Sequence, residues 1–206
     1  YLKKEFTNLT TNSDETRLFD DVTSSKIISG QSVRRGIKSC AFSENGDING
    51  SKFKVSYFFS YVGANRRDNL VRFYKKYLRF FFFDIDINRS ENSFIIKERK
   101  LLINRDISDL IGNEQHFDMG NGLDVELISG NIDYIRSFVS NYSEIIKRYD
   151  LDIQLSIIDN KAYILINSDF IFRNIFRSYD GNYDLSKYMS MMACIKEITS
   201  LLKTIR

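Results

Sequence analysis

The run Phe80-Phe81-Phe82-Phe83-Asp84-Ile85-Asp86-Ile87 constrains the fold more tightly than any other part of the chain. Read with a period of two, it sets Phe81, Phe83, Ile85 and Ile87 on one side of an extended strand and Phe80, Phe82, Asp84 and Asp86 on the other. The first face is wholly apolar and demands cover. The second starts apolar and ends in two carboxylates, which suits a half-strand whose aspartates meet water. The alternation predicts a strand over 80–88, with a partner strand over 93–98 after a turn at 88–92.

Similar alternation recurs along the chain. Short alternating segments at 26–29, 36–42 and 53–61 are punctuated by Ser29-Gly30, Asn45-Gly46 and Asn49-Gly50, the dipeptides of tight hairpin turns. A second hairpin is predicted around Asp159-Asn160, from 151–157 to 162–166, and 124–128 could add a further strand. Helical spacing appears in three places. In 68–79, Leu70, Phe73, Tyr74, Tyr77 and Leu78 lie opposite a cationic face. In 131–149, Ile132, Ile135, Phe138, Val139, Tyr142, Ile145, Ile146 and Tyr149 trace one stripe, and 184–205 carries another from Leu185 to Ile205, with Asp184 or Ser186 placed to cap it. Residues 1–21 fit a helix that breaks near 10–14, and 105–122 reads as a polar loop. Strand runs interrupted by a few helices predict an α+β fold, an antiparallel sheet or sheets with hairpins packed against amphipathic helices. At 206 residues, 43% of them hydrophobic, the chain has material for one ordinary core.

Composition excludes little. The net charge of +3 is far from that of a dedicated nucleic-acid binder, so an electrostatic partner must be found in a local patch. Cys40 and Cys194 have no CxxC spacing and His116 is the single histidine, which indicates neither a zinc site nor a disulfide framework. No cofactor signature is present, and the glycines of 120–122 lack the spacing of a phosphate-cradling loop.

Two constellations carry candidate chemistry. Asp84 and Asp86 form a strand-terminal DxD, the arrangement with which two carboxylates share a divalent cation and a substrate phosphate. That is the enzymatic alternative, and Asn88, Arg89 and Ser90 do not continue the phosphatase version of the motif. The other is the basic helix face of Arg66, Arg67, Arg72, Lys75, Lys76 and Arg79, a candidate binding surface for anionic headgroups or an acidic protein partner, with nucleic acid third because the aromatics lie on the opposite face. No catalytic residue is assigned. His116 sits in a polar stretch with no nucleophile signature beside it.

Asp86, Ile87, Asn88 and Arg89, closing the apolar stretch of Tyr77 to Arg89, resemble the Asp-Phe-Asn-Lys strand ending of an uncharacterised bacterial family of membrane-anchored proteins, a domain of unknown function sometimes labelled "galanin". Phe117, Asp118 and Met119 resemble its Phe-Glu-Val element, Ile135 and Phe138 fit the helix that follows, and Asp159, Asn160 and Lys161 fit its terminal hairpin. Phe80 stands where the family commonly has glycine, and Ser129-Gly130 replaces a helix-starting Thr-Pro. The resemblance implies transmembrane helices upstream of a domain on the cytoplasmic side of the membrane, and no catalytic residues. With a first residue Tyr1 in place of methionine, the expectation is an N-terminal segment 1–21 continuing from such an anchor, followed by one α+β domain over 22–206 that acts as a non-enzymatic binding or scaffolding module.

Overall fold

A computed structural model describes residues 7–11, 15–27, 37–62, 76–98, 115–119, 122–168 and 186–205. Among the described residues nine strands form a single antiparallel sheet. In chain order the elements are β1 (Thr7–Thr11), α1 (Glu15–Ser24), β2 (Ile37–Ile48), β3 (Ser51–Val62), β4 (Lys76–Asp86), β5 (Ser93–Glu98), β6 (Gln115–Asp118), β7 (Leu123–Ser129), α2 (Ile132–Tyr149), β8 (Ile153–Ile158), β9 (Lys161–Asn167) and α3 (Ser186–Leu202). Across the sheet the order is β1-β2-β3-β4-β9-β8-β5-β7-β6. The α+β class and the antiparallel sheet expected from the alternation are what the chain forms.

Turn chemistry fixes the two central hairpins. Asn49 and Gly50 both take positive φ, 51° and 79°, the conformation a two-residue turn needs to match the twist of its strands. Ile48 therefore lies opposite Ser51, and pairing runs back to Ile37 and Ser60. Asn45-Gly46, expected as a turn, lies inside β2 opposite Lys54 and Phe53. The Asn49-Gly50 turn alone reverses the chain, so two long strands replace the shorter segments that the punctuation suggested. Asp159 at φ 54° turns β8 into β9 at the predicted place.

The expected pairing of β4 with its sequence neighbour β5 does not occur. The β8–β9 hairpin inserts between them: β9 pairs β4, with Asp86 opposite Lys161, and β8 pairs β5, with Ile95 opposite Ser156. The connection after β4 crosses the tip of that hairpin instead of turning back. Ile87 N–H donates to Asn160 O at 3.0 Å and Ser90 N–H to Asp159 O at 2.9 Å, so its backbone groups find partners there.

The predicted helix over 68–79 is corrected at its C-terminal end. Lys76 to Arg79 are strand, with Lys76 opposite Val62 and Arg79 opposite Phe59; pairing with a long neighbouring strand overrides a local helical period. In the N-terminal stretch, Thr7–Thr11 is a strand on β2 in place of the expected helix, and the helix that follows runs on to Ser24. A strand over Gln115–Asp118 also stands where a loop was expected.

One face of the sheet carries the main core. Phe53, Val55, Phe81, Phe83, Ile85, Phe94, Ile96, Leu155 and Ile164 are buried there with the apolar sides of α2 and α3. Phe94 meets Phe138 of α2 edge-on at 5.7 Å, and Phe81 meets Tyr188 of α3 at 6.5 Å. Fully burying one such side chain contributes about 1.5–3 kcal/mol. α2 starts at Asn131, whose side chain accepts from Asp133 N–H at 2.9 Å, satisfying an otherwise orphaned donor. Glu197 of α3 binds Arg148 at 2.8 Å and accepts from Tyr149 Oη at 2.6 Å, joining the two helices. Among the described residues no helix is long and apolar enough to cross a membrane.

Candidate functional site

The second face of the sheet is where charge gathers. Register places a file of residues across it: Lys54 opposite Asp84, Asp84 opposite Tyr163, Tyr163 opposite Ser156, Ser156 opposite Ile95, and Ile95 opposite Glu126. Cross-strand neighbours on one face stand about 4.5–5.5 Å apart, so unlike groups on six strands become a single row. Phe82 stacks on Tyr163 at 5.8 Å beside it, and the face is buried over much of its width.

At the β3–β4–β9 end of this row opens a cavity of about 520 Å³, lined by Asp21, Asp47, Lys52, Lys54, Asp84, Asp86 and Lys161 among others. Lys161 Nζ lies 2.9 Å from Asp84 Oδ1 and 2.6 Å from Asp86 Oδ1. One ammonium therefore serves both carboxylates of the DxD. The Asp84 carboxylate is held down both by its close contact with the Lys161 ammonium and by that group's charge. Beside it, Lys54 Nζ donates to Asp21 Oδ2 of α1 at 2.8 Å, so the first helix is tied to the sheet at the cavity wall.

Burial corrects the solvated reading of Asp84. The residue is 8% exposed, whereas the Asp86 side chain is 49% exposed and does meet water. Burial raises the Asp84 carboxyl above its usual range, Lys161 pulls it back down, and the Asp21 and Asp86 charges raise it again. For Lys161 burial works against the charge, but the contacts to Asp86 and Asp84 outweigh it, and the ammonium holds its proton well above the usual lysine range. Tyr163 is pushed up to about 12, by burial first and then by the Asp84 charge.

The DxD thus has its cation built in. Lys161 lies between the two carboxylates, and among the described residues no group of three or more His, Cys, Asp or Glu side chains comes together for a metal. No family model, curated protein or solved structure matches the chain.

Of the basic positions, Arg66, Arg67, Arg72 and Lys75 lie outside the described residues. Lys76 and Arg79 are on β4 and not on a helix. The backbone of His116 is in β6, opposite Glu126 of β7. Cys194 is fully buried in α3; its thiol is pushed up to about 12, by desolvation first and by the Glu197 charge second, which leaves negligible thiolate at neutral pH.

Two charged features were missed in the sequence. In the sequence Lys161 belongs only to a turn, because nothing local says that its hairpin pairs with β4. The second is an ion pair between Lys97 of β5 and Glu126 of β7, buried to 7% and 4% exposure. An alternating strand that puts Lys97 on the same side as Ile95 is the only local signal for it.

Proposed function

We propose that this chain is a non-enzymatic binding or scaffolding module held at the cytoplasmic face of a membrane. The observation that supports it best is the sharing of one internal cation, Lys161, by both carboxylates of the DxD. A catalytic pair of carboxylates must be available to a substrate or metal, and these two already share an ammonium at 2.9 and 2.6 Å. A cleft whose cations and anions pair with one another is a rigid, charge-patterned wall. The membrane tether rests on the resemblance described above, and so does the cytoplasmic side.

The tether is tested on the full-length gene product in cells. One or two apolar segments of spanning length should be encoded upstream of Tyr1, the protein should sediment with membranes, and this domain should be digested by protease only after the cytoplasmic side is opened. A protein recovered wholly in the soluble fraction would sink the anchored reading. The enzymatic alternative, a divalent-metal-dependent phosphate-handling activity at Asp84 and Asp86, is supported by the cavity beside them and by the raised Asp84 carboxyl, since perturbed acids gather at functional sites. It requires that a metal displace Lys161.

A further inference from the structure

A second cavity, on the opposite side of the β4 end, is larger. It measures about 880 Å³ and lies between the 88–92 connection, the first half of α2 and the end of α3, within the roughly 300–1,000 Å³ range of pockets that hold a ligand. Its floor is apolar, formed by the buried Ile135 and Phe138. On its wall stands Tyr134, 79% exposed, which is the exposed large hydrophobic side chain among the described residues. A tyrosine left so far in water gains nothing for the fold, yet it offers a large, stiff contact surface at low entropic cost.

Charge gives the cavity a sign. Arg89 makes no ion pair among the described residues. The Lys203 ammonium donates to the Asn49 carbonyl, a contact that orients it without neutralising it. Glu91 is the acid in the lining, so two cations face one anion. The rim is also held in place. Ser90 Oγ donates to Asn92 O at 2.9 Å, and Asn92 Oδ1 accepts from Asn131 N–H at 2.9 Å, fixing the 88–92 connection against the start of α2. Arg89 and Tyr134 thus sit on two braced walls of one groove. Tyrosine and arginine beside an apolar floor make the combination that dominates binding energy in protein interfaces.

We propose that this groove docks an acidic segment of a protein partner, with Tyr134 and the Ile135–Phe138 floor receiving an apolar side chain and Arg89 pairing a neighbouring carboxylate. The proposal rests on the binding-module reading and gives its partner a chemistry.

Selection of a phage-displayed random-peptide library on the folded domain tests it. Enriched peptides should carry Asp or Glu next to an aromatic or branched aliphatic residue. In fluorescence anisotropy a labelled peptide of that consensus should lose about tenfold or more in affinity, ~1.4 kcal/mol, on Tyr134→Ala and again on Arg89→Glu. Both positions are exposed, so the melting temperature of each variant should stay near that of the wild type. No enrichment, a basic consensus, or full affinity in Arg89→Glu would overturn the proposal. So would a concentration-dependent dimer abolished by Tyr134→Ala, which would make the occupant a second copy of this chain. None of these outcomes bears on membrane sedimentation, so failure of the groove and failure of the anchored module remain distinct results.

Discussion

Lys161 sets the behaviour of the charged cavity, and its removal has a pH signature. Without it, Asp84 would be a buried carboxylate raised by the Asp21 and Asp86 charges with no Lys161 to hold it down, and its pKa would rise further above 3.8. A carboxyl with a raised folded pKa contributes stability that is present below the unfolded value and lost as pH rises through the folded one. Lys161→Met should therefore unfold nearly as the wild type does in urea near pH 4 and lose about 1–3 kcal/mol by neutral pH, the figure reduced for the partial exposure of Lys161. Adding Asp84→Asn should restore most of the loss. A deficit that does not change with pH would contradict the role given to Lys161. The Lys97 and Glu126 pair is more deeply buried, and truncating one partner leaves the other uncompensated. Lys97→Met should cost about 3–5 kcal/mol in chemical denaturation, while Lys97→Met with Glu126→Leu should return close to wild-type stability.

Neither ion pair was legible at the residue scale. Each joins positions far apart in the chain, 84 with 161 and 97 with 126, and a charge in a strand looks the same in sequence whether it faces water or a partner. The phenylalanines were easier to assign: the two-residue alternation of 80–87 placed Phe81 and Phe83 in the core, as observed. Their neighbours Phe80 and Phe82 are buried as well, because the second face is covered.

Among the elements, α2 was the most legible, since its apolar stripe spans five turns; the cap at Asn131 and the close approach at Gly130 are seen only in the structure. Gly130 has φ 103°, and a Cβ there would lie 2.2 Å from Asn92 Oδ1. Asn131→Ala removes the cap and should cost about 1 kcal/mol. Gly130→Ala should cost more, roughly 1–3 kcal/mol from backbone strain, because the side chain it would strike is the one that orients the helix start. Thermal denaturation of the two variants orders them, and an alanine tolerated at 130 would contradict the packing described. The 68–79 stretch was misread at its end for a physical reason. Its helical spacing is genuine, but β3 extends to Val62 and offers β4 hydrogen bonds as far back as Lys76. Hairpin turns were read well where the turn carries a positive φ, at Asn49 and Gly50 and at Asp159. Asn45-Gly46 has the same composition in the wrong register.

The order of strands across the whole molecule could not be read locally, because the β8–β9 hairpin arrives from distant sequence to part β4 from β5. That insertion brings Lys161 to Asp84 and Tyr163 into the charged row, so the cavity exists only at this scale. A pH dependence of the whole fold follows from its buried groups. Cys194 is raised from 9.0 to about 12 and Tyr163 from 10.0 to about 12, and Lys161 is raised above 10.5. Each stays protonated in the folded state while its unfolded counterpart loses a proton, so the stability these three groups contribute should be fully present below about pH 9 and fall as pH rises from 9 through 12. Cys194→Ala should remove the earliest part of that fall, which urea denaturation at stepped pH would register.

Manganese titration of the intact domain, followed by calorimetry and by melting temperature, bears most directly on the claim that Lys161 has closed the DxD to metals and substrates. The expected result is no saturable heat and an unchanged melting temperature. Stoichiometric binding that raises the melting temperature and disappears in Asp84→Asn would contradict it, and would transfer the site to the enzymatic reading.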